Sequence, residues 1–137
     1  MTPTLLGRWQ TRFLLFMTVG VLLTCPFTIA VEGAFFSVLF CILLWGFLWD
    51  CLYTFTQKFR WDRDWPAAYQ VAAGIWEGIF VLALINSFGL FGAEFGDFSV
   101  FWFVVHYSTV WLGIFLASQV LMRLLFPRWR FRGGRWF

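Results

Sequence analysis

Four stretches of this chain are long and apolar enough to cross a bilayer, and nothing else in the sequence narrows its fold so far. A spanning helix needs about 20 predominantly apolar residues, because hydrocarbon offers no partner for an unpaired backbone N–H or C=O. The stretches are 13–31, 34–56, 66–88 and 98–126, with Pro26 falling late in the first. Of 137 residues, 61% are hydrophobic and 12% charged, against about 45 to 50% and about 25% in a soluble domain. The expected fold class is all-α, an integral membrane four-helix bundle forming a single domain over 1–137.

The cations set an expected orientation. Arg8 and Arg12 precede the first stretch, Lys58, Arg60 and Arg63 lie between the second and third, and Arg123 and four further arginines close the chain. All ten therefore fall on one side, while Glu32, Glu94 and Asp97 fall on the other. The positive-inside rule then gives a bundle with both termini in the cytoplasm and 127–137 as a basic-aromatic cytoplasmic tail. Between Lys58 and Pro66 the chain is too charged for hydrocarbon, and its tryptophans suit the headgroup level. Pro66 suits a helix start, where its missing N–H costs nothing. Arg8, Arg12, the apolar run to Cys25 and Thr28-Ile29-Ala30 also match a signal peptide; a retained first helix is the preferred reading.

Ionisable groups inside a span cost about 2.5 to 3.5 kcal/mol on insertion scales, so each is a functional candidate. Asp50, Glu77 and His106 qualify. Counted along the helices, Glu77 lies roughly 15 Å and His106 roughly 18 Å from the cytoplasmic face. Gln70, Ala73, Gly74, Glu77, Gly78 and Val81 share one side of the third helix, and Trp102, His106, Thr109, Val110, Gly113 and Ala117 one side of the fourth. The two polar faces and the Gly74-x-x-x-Gly78 spacing predict a Glu77–His106 contact, which would join two helices, handle protons or ions, or contact a ligand or pigment. Asp50 and Gln57 form a polar seam near the cytoplasmic face, expected to pair with Lys58, Arg60 or Arg63.

The sequence lacks a nucleophile elbow, a paired zinc motif and a phosphate-binding loop, so no enzyme, metal or cofactor is expected, nor any nucleic-acid partner. Cys25, Cys41 and Cys51 are dispersed through apolar runs as small hydrophobes. Arg128, Arg130, Arg132 and Arg135 alternate with aromatic and glycine residues, a pattern expected to bind anionic lipid headgroups, with an acidic partner protein as the alternative.

The stretches Phe59-Arg60-Trp61-Asp62-Arg63-Asp64-Trp65-Pro66 and Ala73-Gly74-Ile75-Trp76-Glu77-Gly78 resemble small multi-pass membrane proteins of unassigned function associated with cyanobacteria. That resemblance implies a thylakoid or plasma membrane setting and no particular activity. The expected function is non-enzymatic, an accessory or assembly subunit of a larger membrane complex. The alternative is a small proton-coupled transporter or channel using Glu77 and His106.

Overall fold

The computed structural model describes residues 4–31, 34–61, 65–89 and 99–130. The four helices are α1 (Leu5–Ala30), α2 (Phe35–Gln57), α3 (Ala67–Phe88) and α4 (Val100–Leu125), each long and apolar enough to cross a membrane. No strand occurs among the described residues. The chain is an all-α, multi-pass integral membrane protein. A short 3-10 turn, Pro127–Arg130, follows α4, since a proline cannot continue the helix hydrogen-bond ladder.

Seven of the eight helix ends lie within two residues of their expected positions, and the start of the first does not. α1 begins at Leu5 rather than at residue 13, because Thr4 caps it: Gly7 N–H donates to Thr4 Oγ1 at 3.3 Å. Arg8 and Arg12 are therefore inside the span. Ser99 plays the same part for α4, accepting from Trp102 N–H at 3.4 Å. At the other end of α3, Gly89 takes the left-handed conformation, φ 55°, and ends the helix.

Midway along, α1 widens into a π-helical segment over Phe16–Gly20. In a regular helix Arg12 and Thr24, twelve residues apart, would point about 120° from each other. One extra residue absorbed in a π segment reduces that to about 20°. Both side chains consequently face the bundle interior, and both are engaged there.

The core divides into two zones. Towards the end of the bundle where α1 and α3 finish, Phe35, Val38, Leu39, Ile42, Val81, Ile85, Phe103 and Val110 form a dry, buried cluster. Towards the other end the interior turns polar, with Arg8, Asp50, Gln57, Gln70 and Glu77 all buried. α2 and α3 are joined along an aromatic seam in which Trp45 and Trp49 lie 5.3 and 5.2 Å from the Phe80 ring. Between α3 and α4 the glycines act as sockets. A Cβ on Gly74 would lie 1.9 Å from Trp111 Nε1, and one on Gly78 would lie 2.6 Å from the Tyr107 ring. The close approach expected of Gly74-x-x-x-Gly78 is thus made by aromatic side chains of α4. Tyr107 also donates to the Gly74 carbonyl at 2.5 Å. Tyr107→Phe should lower stability by about 1 kcal/mol, in line with intramembrane hydrogen bonds elsewhere, measurable as a shift in the detergent-unfolding midpoint.

Candidate functional site

Arg12 is the centre of the polar zone. From α1 its guanidinium reaches α2, where Nε donates to Asp50 Oδ2 at 2.8 Å and Nη2 to Oδ1 at 3.1 Å. It also reaches α3, where Nη1 donates to Glu77 Oε2 at 3.0 Å and Nη2 to Oε1 at 3.2 Å. One planar group thereby holds two carboxylates, each through both oxygens, which is the fork geometry that distinguishes arginine from lysine. Gly46 leaves the space for it: a Cβ there would lie 2.1 Å from Arg12 Nη1.

One turn earlier on α1, Arg8 donates from Nη2 to Gln57 Oε1 at 2.8 Å, and its Cζ lies 4.9 Å from the Trp65 ring centroid. The formal charges of Arg8, Arg12, Asp50 and Glu77 cancel, so four ionisable groups can share a low-dielectric interior. The Tyr53 hydroxyl is buried beside this group.

Two expectations about these residues are corrected. Glu77 does not meet His106; it is bound by Arg12, and His106 Nε2 hydrogen-bonds Thr24 Oγ1 at 3.0 Å. The faces on α3 were read correctly, since Gln70, Ala73, Gly74, Glu77, Gly78 and Val81 are all buried. On α4 the error is angular. Tyr107, about 100° further round the helix, takes the side that faces α3, while His106 turns towards α1 and lies between Phe27 and Phe35, ring centroids 5.1 and 5.0 Å away. Trp102 and Thr109, placed on the inner face by the same reading, are exposed.

The Asp50 and Gln57 seam exists, but its cations are Arg8 and Arg12 of α1, not the loop residues Lys58 or Arg60. Arg63 lies outside the described residues. So do Arg132 and Arg135, together with the side chains of Arg128 and Arg130.

A cavity of about 540 Å³ opens beside this cluster, between α1, α3 and α4. Arg12, Asp50, Glu77 and Tyr107 line the end of it nearer the dry cluster; Gln70 and Ser118 line its flank; the exposed Arg123 and Pro127 lie at the opposite end, its mouth, with Trp65 and the buried Arg8 and Trp129 in the wall beside them. Gln70 Nε2 donates to Ser118 Oγ at 3.1 Å, and Gln119 Nε2 donates to Gln70 Oε1 at 3.0 Å. Beyond the inner end the dry cluster closes the bundle, with Thr24, Phe35, Val38 and His106 all at 0% exposure. The cavity therefore runs from the ion cluster towards the arginine-rich end of the bundle.

Sequence reasoning missed Arg12 because an arginine next to an apolar run reads as a flank. Two signals were available. Thr4 is a good cap residue, and the two arginines one helical turn apart, Arg8 and Arg12, match in number the two acids buried in the spans, Asp50 and Glu77. In comparisons with known proteins, no family model, curated protein or solved structure matches this chain.

Proposed function

We propose that the protein works by binding, without catalysis, and that the cavity is its binding site. The observation that carries this reading is the placement of the Arg12–Asp50–Glu77 cluster at the inner end of that cavity. Ionisable residues within a membrane characteristically face ligand or ion pathways, and pockets of about 300 to 1,000 Å³ are typical of small-molecule sites. The packed zone around His106 argues against a continuous pore. Transport through a Glu77–His106 relay loses its support with the loss of that contact.

Access provides the test. A cysteine at Ser118, on the cavity flank, should react with a water-soluble thiol reagent at least about tenfold faster than one at Val81, in the dry cluster. Each rate is read against the parent protein with its native Cys25, Cys41 and Cys51. Equal rates would contradict access through the cavity.

A second reading keeps the protein as an accessory subunit of a larger membrane complex. It is favoured by the outer face of α3, where Ile75, Trp76 and Ile79 are more than half exposed at 62, 53 and 57%. Lipid can cover such a face as well as protein can. Recovery of a defined complex in mild detergent, lost on replacing Trp76 with alanine, would support that role.

A further inference from the structure

We propose that the cavity seats one anionic membrane lipid, its chain inside and its phosphate-bearing head at the arginine mouth. The proposal rests on the binding role given to the cavity and names its ligand class. The walls between mouth and inner end are largely apolar, supplied by Leu15, Ile114, Phe115 and Met122. A soluble anion would leave that surface unused, whereas an acyl chain gains about 0.8 kcal/mol for each CH₂ it buries. The volume, about 540 Å³, suits part of one lipid.

Charge fixes the direction of entry. Two carboxylates, Asp50 and Glu77, stand at the inner end and share the single guanidinium of Arg12, which disfavours an anionic head at that depth. Arg123 stands exposed at the mouth, and Arg8, Trp65 and Trp129 line the wall beside it. Arg123 makes no ion pair or hydrogen bond with any described residue and is exposed, so its charge is available to a ligand. A phosphate there completes the mouth while the chain runs along α1 and α4.

The experiment is native mass spectrometry of the full chain released from vesicles of equal phosphatidylglycerol and phosphatidylcholine. The expected result is one retained phosphatidylglycerol per chain. Arg123→Gln should lower the anionic-to-zwitterionic ratio about fivefold, the equivalent of one basic residue at a membrane surface, and Arg123→Lys should largely preserve it. Because the Arg123 side chain is exposed, both variants are expected to fold, and their unfolding midpoints check this. Equal retention of the two lipids would overturn the anionic class, as would a ratio indifferent to Arg123→Gln. Displacement of the lipid by millimolar inorganic phosphate would point to a soluble anion instead and also overturn the proposal. None of these failures touches the cavity itself, which the Ser118 and Val81 cysteine rates report separately.

Discussion

Replacing Arg12 with glutamine is expected to destabilise the bundle by about 3 to 5 kcal/mol, the usual consequence of removing one partner from a buried ion pair. The side chain is only 10% exposed and Asp50 and Glu77 are 1% and 8% exposed, so loss of the guanidinium leaves two largely buried carboxylates without the cation that binds them. Both would be left facing each other's charge. Arg12→Lys should recover only part of the stability, because an ammonium cannot satisfy four carboxylate oxygens in one plane. Detergent- or heat-induced unfolding of the purified protein, followed by tryptophan fluorescence, checks each step.

The second large effect is expected at a residue with no side chain. Gly46→Val should cost about 3 kcal/mol, combining overpacking with displacement of the guanidinium. The nearest atoms to a new Cβ would be Arg12 Nη1 at 2.1 Å, Cζ at 2.6 Å and Cδ at 3.0 Å. An arginine tip is ordinarily flexible and could yield. Here four hydrogen bonds hold it, so yielding means losing them. The penalty of Gly46→Val should therefore shrink sharply in a background already carrying Arg12→Gln. An unchanged penalty would show that Gly46 packs against something other than the Arg12 side chain.

How much of this was legible in the residues depends on the kind of information each feature carries. Spans were legible, because hydrocarbon thickness imposes a length and a composition that soluble chains do not show. The inner face of α3 was legible too, since a helix of known phase places Gln70, Glu77 and Val81 together. Partners were not. They depend on how each helix is rotated about its axis, and a π segment such as Phe16–Gly20 shifts that rotation by about one residue without a compositional trace. His106 illustrates the other limit. An error of about one residue in azimuth separates Tyr107, which meets α3, from His106, which meets Thr24. Arg12 was misplaced for an energetic reason: a lone arginine is expensive in a membrane, and only the two acids from other helices make it tolerable.

The central claim is that one guanidinium binds two carboxylates across three helices, and the most direct measurement compares Arg12→Gln with the triple variant Arg12→Gln, Asp50→Asn, Glu77→Gln. If the three residues form one buried unit, the triple variant should be more stable than Arg12→Gln alone, because its one remaining charge, Arg8, keeps the Gln57 hydrogen bond and the Trp65 ring, whereas Arg12→Gln leaves two buried carboxylates to share a single cation. Unfolding midpoints that fall further with each added neutral substitution would contradict it, placing Asp50 and Glu77 in separate interactions that Arg12 does not share.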